Sequence, residues 1–212
     1  MRYRVTFAKT AAMRYTSHLD LHRTWERTVR RARLPLAYSQ GFNPHPKLNL
    51  ASALPLGFTG EQELIDIWLE QDVPTGEVQA ALEKAAPPGI QIHRVERLDE
   101  STPTLQKVLT ASEFVITFLT PQPDLDERVA ALLQAGSLPR EKRGKAYDLR
   151  PLVYELRRIE DDEEGRPRLL TRLAAREGAT GRPEEVIAAL GAAPEDTRVH
   201  RTQILLEGEA VK

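Results

Sequence analysis

Apolar and polar positions alternate at the start of the chain, recur every three to four residues further on, and then alternate again. Each change of period marks an element. Tyr3, Val5 and Phe7 alternate with Arg4 and Thr6, which predicts a half-buried strand. Leu21, Trp25, Val29 and Ala32 recur at helical spacing up to the breaker Pro35, and Ser17 followed three residues later by Asp20 predicts a capped start. A Pro-rich turn from Gly41 to Pro46 precedes an apolar stretch, Leu48 to Leu54. Gly57 and Gly60 predict a hairpin into Leu64–Glu70, where Ile65, Ile67 and Leu69 alternate with Asp66 and Trp68. Thr75 predicts the cap of a second helix with Val78, Leu82 and Ala85 inward, ended by Pro87, Pro88 and Gly89. Ile90 and Ile92 predict a last strand, so the order is β-α-β-β-α-β.

Residues 99–110, rich in Ser, Thr and Asp, read as a linker, after which the order repeats. Phe114, Ile116 and Phe118 predict a strand. Asp124 and Glu127 have capping-box spacing before a helix with Leu125, Val129 and Leu132 inward, stopped by Gly136. A basic loop (Arg140, Lys142, Arg143, Lys145) leads to a strand around Leu152–Ile159 and, past the acidic turn at Asp161–Gly165, to its partner at Leu169–Leu173. Pro183 with Glu184 and Glu185 opens a helix lined by Val186, Ile187 and Leu190, and Val199–Leu206 closes the set. The repeat is one of pattern, since no short motif recurs. The prediction is an α+β protein of two tandem ferredoxin-like (βαββαβ) halves with antiparallel sheets, residues 1–98 and 111–212. In such a half both helices cover one sheet face and leave the other free to bind or pair.

The 212 residues carry a formal net charge of −1, but the charge is segregated. Residues 1–50 hold ten Lys and Arg against two acids, a net of +8, and the remainder holds twenty against twenty-nine, a net of −9. Such segregation points to a polyanion or an acidic partner at the basic end. With no cysteine, disulfides, zinc–thiolate sites, a thiol nucleophile and a thiolate-held iron–sulfur cluster are excluded from this chain. No apolar run approaches the ~20 residues of a membrane span, and the N-terminus has no apolar leader. A cytoplasmic protein without a membrane partner is expected.

On the first helix Arg23, Arg27, Arg30 and Arg31 fall nearly opposite the apolar stripe, diluted only by Asp20 and Glu26. Guanidinium groups suit phosphates because they donate bidentate, permanently charged hydrogen bonds. The segment Tyr38 to Lys47 follows, with Tyr38 and Phe42 offering faces for base stacking and Asn43, His45 and Lys47 offering polar and cationic contacts, a mixture suited to unpaired nucleotides. Lys9 and Arg14 complete the predicted nucleic-acid-binding set. His18 and His22 share a helix face, and His45 could act with them in general acid–base chemistry. No acid accompanies them at a metal-site position, so neither a metal nor a cofactor is predicted. Walker, G-x-G-x-x-G, G-x-S-x-G, H-E-x-x-H and RNP1 motifs are missing.

Phe7-Ala-Lys9, Arg14 through Leu21, Arg30 through Pro35, Tyr38 through Lys47 and Ala53 through Gly57 resemble the radical-SAM-linked family, a bacterial domain of unknown function. The basic loop with Asp148-Leu-Arg-Pro151 adds to the likeness. The resemblance covers essentially the whole chain, is specific at residues 14–57 and loose beyond residue 160. It implies association with a separate radical SAM enzyme and a link to RNA metabolism, and it supplies no catalytic residues. A fainter likeness, of fold, is to CRISPR repeat-processing endoribonucleases; their glycine-rich loop is poorly matched by Glu177-Gly-Ala-Thr-Gly181.

Three functions are expected from these residues together with what the resemblance implies about a radical SAM partner. The first is a non-catalytic RNA-binding accessory protein that presents tRNA or rRNA to a radical SAM enzyme. The second is a protein-interaction module docking an acidic surface of that enzyme. The third is a metal-independent endoribonuclease using His45 or His18.

Overall fold

The computed structural model describes residues 1–142 and 144–208, and the backbone but not the side chain of Lys142. Arg143, read with the basic loop, lies outside the described residues. The chain divides into two compact units, Met1–Val108 and Leu109–Lys212. Both mix helices with antiparallel strands. Among the described residues no helix is long and apolar enough to cross a membrane.

The first unit runs β1 (Arg2–Lys9), α1 (His18–Arg31), β2 (Leu48–Leu50), β3 (Thr59–Trp68), α2 (Thr75–Ala85), β4 (Ile90–Leu98) and a single helical turn, α3 (Leu105–Val108). Its strands lie in the order β2-β3-β1-β4, each pair antiparallel. Strand alternation sorts residues between faces. Val5 stands beside Ile65 and Val95, and Ile65 beside Leu50, forming one apolar row. The apolar stripe of α1 (Leu21, Trp25, Val29) and that of α2 (Val78, Leu82) join this row in a single buried cluster. Trp25 packs edge-on to Phe7 with ring centroids 4.7 Å apart.

The alternate residues of the same strands form a polar row, Asn49–Asp66–Arg4–Glu96. Arg4 donates to both oxygens of the fully buried Asp66, at 2.8 and 3.1 Å, and Arg2 stands 3.9 Å from it. This face is not left free. The segment read as a linker folds back over it. Arg2 donates to the carbonyl of Thr102, Gln106 donates to the carbonyl of Leu50 at 2.9 Å and exchanges amide hydrogen bonds with Asn49, and Leu105 is fully buried. Deeply buried charge needs such partners, and a strand residue's polarity alone does not reveal whether a later segment will cover it.

The second unit runs β5 (Leu109–Phe118), α4 (Leu125–Gln134), β6 (Pro139–Lys142), β7 (Lys145–Asp148), β8 (Val153–Ile159), β9 (Arg168–Arg176), β10 (Ala179–Thr180), α5 (Pro183–Ala189) and β11 (Thr197–Leu206). Its strands order as β8-β9-β5-β11, with β10 also paired to β9. Phe114, Ile116 and Phe118 are buried with Leu169 and Leu173, as the alternation predicts. The basic loop is instead a two-stranded hairpin, β6–β7. Asp148 fastens its base: Oδ1 accepts the backbone N–H groups of Leu138 at 2.7 Å and Arg150 at 2.9 Å.

Two predicted caps are corrected. Asp124 has φ 55, in the left-handed region, and makes no side-chain cap, because a capping side chain requires extended backbone at that position. Thr75 is the first helical residue, and the N-cap is Pro74, whose carbonyl accepts from Glu77 and Val78.

Trp25→Ala removes the largest buried side chain of the first unit, and a loss of about 3–5 kcal/mol is expected in urea unfolding. Asp148 gives a pH-dependent expectation. The Leu138 N–H, then that of Arg150, hold its pKa below the ordinary value of 3.8. A depressed carboxylate contributes stability that is present above its unfolded pKa and lost as pH falls through the folded one. Asp148→Asn should therefore flatten the acid limb of the stability profile below about pH 4, measured by thermal melts across pH. Parallel acid limbs for the two proteins would count against this account.

Candidate functional site

Helix α1 starts at Ser17, whose hydroxyl accepts the Asp20 N–H at 3.2 Å and donates to the Asp20 carboxylate at 2.7 Å. Burial of Leu21, Trp25 and Val29 fixes the helix's rotation and turns Arg23, Arg27 and Arg30 to solvent. Leu19, Arg23 and Arg27 are spaced by four and so share one stripe. The helix ends through Arg33 at φ 56, a left-handed position usually given to glycine at a helix C-terminus.

The segment after it is a closed loop. The Ala37 N–H donates to the Trp68 carbonyl, that of Lys47 to Ala37, and that of Ser39 to His45, each at 2.9 Å. Tyr38 bridges Pro46, which is buried, so the prolines and these cross-loop bonds hold the neck while Gln40 to His45 form an exposed tip. Gly41, at φ 132, makes the reversal. Phe42 sits at the tip with its side chain fully in water, at 105% relative exposure, and Tyr38 keeps 38%. Asn43, His45 and Lys47 are also exposed. A loop closed at its neck and presenting an unpacked ring suits contact with another molecule better than contact with its own core.

The ten basic residues of the first fifty do not form one surface. Arg2 and Arg4 face Asp66. Arg23 pairs with Asp20 at 3.3 Å, and Arg31 donates to the carbonyl of Ala85 at the end of α2 at 3.2 Å. Lys9 is removed from the predicted set. It is fully buried, and its ammonium donates to the carbonyls of Arg14 (3.3 Å), Thr16 (3.0 Å) and Phe58 (3.0 Å). A primary ammonium has three hydrogens, and three backbone acceptors meet them. Arg14, Arg27, Arg30, Arg33 and Lys47 keep side chains that, among the described residues, have neither ion pair nor hydrogen bond. Arg33 was not predicted as a contact.

The sequence reading also missed an exposed apolar group. Tyr15 is 81% exposed, Leu19 69% and Leu56 60%. The Gly57 N–H donates to the Arg14 carbonyl at 2.9 Å, tying the segment with Leu56 to the one with Tyr15. The spacing of four between Tyr15, Leu19 and Arg23 was the available signal.

The histidines come from separate places. His18 is the first residue of α1 and partly buried, His22 faces Glu26 at 3.5 Å, and His45 is exposed at the loop tip. Among the described residues no three His, Asp or Glu are grouped as a metal site.

The geometry defines a two-unit α+β protein with an arginine-bearing helix and an aromatic loop on its first unit. The chain belongs to the family described as "Uncharacterized protein conserved in bacteria (DUF2344)", whose model matches residues 2–183. No curated protein matches the chain. Among solved structures it is similar to a chain of the "Crystal Structure of a Cbf5-Nop10-Gar1 Complex", with TM-score 0.51 and 11% identity over 95% of this chain and 48% of that one. It is more distantly similar to a chain of the "Structure of H/ACA RNP bound to a substrate RNA containing 2'-deoxyuridine", with TM-score 0.44 and 11% identity over 87% and 43%. The protein thus spans about half the length of these two chains, and at 11% identity the likeness to the first is one of fold.

Lys9→Met removes the ammonium's hydrogen bonds to the carbonyls of Arg14, Thr16 and Phe58. A loss of about 2–3 kcal/mol is expected, the scale of buried hydrogen bonds from a charged donor. Chemical denaturation of the purified variant measures it, and a change below about 1 kcal/mol would show that the ammonium does not hold these segments together.

Proposed function

We propose that this protein is a non-catalytic RNA-binding accessory factor working with a separate radical SAM enzyme on tRNA or rRNA. The observation that carries the reading is the pairing of uncommitted guanidinium groups, Arg27 and Arg30 on the exposed side of α1, with a closed loop holding the Phe42 ring in water. Cations fix phosphates and exposed rings stack on unpaired bases, and single-stranded nucleic acid needs both. Arg14 and Lys47 supply further charge, while Asn43, His45 and Tyr38 position the strand. Arg23 joins when it exchanges Asp20 for a phosphate, since a solvent-exposed pair of this kind is weak. Arg31, bound to the end of α2, contributes mainly through its charge.

The strand order β4-β1-β3-β2 in the first unit and β11-β5-β9-β8 in the second supports the finer reading of each unit as a ferredoxin-like half. The solved structure of similar fold belongs to a Cbf5-Nop10-Gar1 complex, which agrees with an RNA-related role without naming a substrate. The radical SAM partner rests on the resemblance of residues 14–57.

A second reading is favoured by Tyr15, Leu19 and Leu56. Apolar side chains exposed beside arginines suit a protein surface, and the partner would then be an acidic, partly apolar face of the radical SAM enzyme.

Binding of a labelled single-stranded RNA should weaken steeply between about 50 and 200 mM salt. Arg27→Ala with Arg30→Ala should reduce the log–log salt slope by about 1.4, and Phe42→Ala should cost about 1–3 kcal/mol with the slope unchanged. Salt-independent affinity would reject the RNA reading. If the protein instead captures the radical SAM enzyme after exhaustive nuclease treatment and loses it on Leu19→Glu, the protein-docking reading replaces it.

A further inference from the structure

We infer that the second unit carries a binding site for a nucleoside phosphate, between the β6–β7 hairpin and the turn at Gly178–Gly181. This site is built from the second unit alone and stands whether or not the α1 surface binds RNA.

The two segments are distant in sequence and meet around a cavity of about 620 Å³. Small-molecule sites are commonly about 300–1,000 Å³. Its lining includes Lys145 and Asp148 from the hairpin strand β7, Leu152, Ala179 and Thr180 from the short strand β10, and Arg182 just before α5. The turn reaches the cavity because of two glycines. Gly178 has φ 75, which turns the chain back so that Ala179 and Thr180 pair with Arg176 and Ala175 of β9. Gly181 is packed so closely that a Cβ there would meet the Leu152 carbonyl oxygen at 3.0 Å and the Leu173 Cβ at 3.1 Å.

The charges inside are not balanced internally. Lys145 and Arg182 have, among the described residues, neither an ion pair nor a side-chain hydrogen bond. The nearby carboxylates are engaged. Glu185 stands 3.9 Å from Arg140. Asp148 accepts the backbone N–H groups of Leu138 and Arg150 on Oδ1. Two unpaired cations flanking one concavity call for an anion, and a guanidinium beside an ammonium suits phosphate oxygens.

The remaining lining says what else the anion carries. A carboxylate has about four acceptor positions, and both backbone donors of Asp148 meet Oδ1, which leaves Oδ2 for a hydroxyl such as a ribose offers. Thr180 adds a hydroxyl, and Leu152 and Ala179 give an apolar wall for a sugar or base. Inorganic phosphate would satisfy the cations and leave the acceptor, the wall and most of the volume unused. A nucleotide uses all of them. The same chemistry is presented by a free nucleoside monophosphate and by the phosphorylated end of an RNA.

The test is calorimetric titration of the full chain in about 50 mM salt with AMP, with GMP, and with RNA hexamers carrying a 5′-phosphate or a 5′-hydroxyl. Saturable binding tighter than about 1 mM of a monophosphate or of the phosphorylated hexamer is expected. Lys145→Ala and Arg182→Ala should each weaken it about tenfold, the effect of one charge-assisted hydrogen bond. Lys145→Arg should retain it, as should Arg27→Ala with Arg30→Ala. Binding of the monophosphates identifies a free nucleotide as ligand, whereas binding of the phosphorylated hexamer alone identifies an RNA end. The inference is overturned if no probe binds saturably. It is equally overturned if binding survives Lys145→Ala and Arg182→Ala in proteins whose melting temperature is unchanged.

Discussion

The ammonium of Lys9 is withdrawn from water at the end of β1 and spends its three hydrogens on the carbonyls of Arg14, Thr16 and Phe58. Desolvating a primary amine is costly unless every hydrogen is met. Once they are met, the arrangement is directional and the segments supplying the carbonyls lose their freedom. One of these segments leads into the Ser17 cap and so sets where α1 starts; the other leads into β3. The Arg14–Gly57 hydrogen bond lies between them. The register of α1 over the sheet, the outward direction of Arg27 and Arg30, and the exposure of Tyr15, Leu19 and Leu56 all follow from this junction and from the burial of Trp25.

The basic end of the chain is then divided by function. Arg2 and Arg4 neutralise a buried aspartate, Lys9 holds loops, and Arg31 ends a helix. The net +8 of residues 1–50 overstates the charge offered to another molecule, because interior cations contribute at a distance but cannot hydrogen-bond a ligand. What is offered is smaller and mixed in character, with guanidinium groups beside exposed aliphatic and aromatic carbon. That mixture keeps both nucleic acid and an acidic protein face in contention, and the two differ in how strongly added salt weakens them.

The two units arrange their strands in the same order but carry different additions. The first unit has the closed aromatic loop between α1 and β2, and the turn α3 over its polar face. In the second, the β6–β7 hairpin occupies the equivalent stretch between α4 and β8. Loops tolerate such change because they carry little of the core, and binding groups accumulate there for the same reason. Each addition stands on a fixed base: cross-loop backbone bonds in one, the Asp148 carboxylate in the other.

Period and punctuation in the sequence were enough to determine β1, the Ser17-capped start of α1, and the inward faces of β3, α2, β5 and α4, because burying one side of a strand or helix leaves its mark every two or every three to four residues. The same reading reached the arginines of α1 and the rings of the 38–47 loop. It could not tell which of the cations would be consumed. Whether Lys9 or Arg27 meets solvent depends on carbonyls supplied by residues five, seven and forty-nine positions away, and no local pattern encodes them. The cover over the Arg4–Asp66 pair, the left-handed backbone at Asp124 and the placing of Lys145 and Arg182 on one cavity were likewise settled only when the chain had folded. Local preference acts through neighbours along the chain, whereas satisfaction of a buried polar group depends on whatever the fold brings within hydrogen-bond reach.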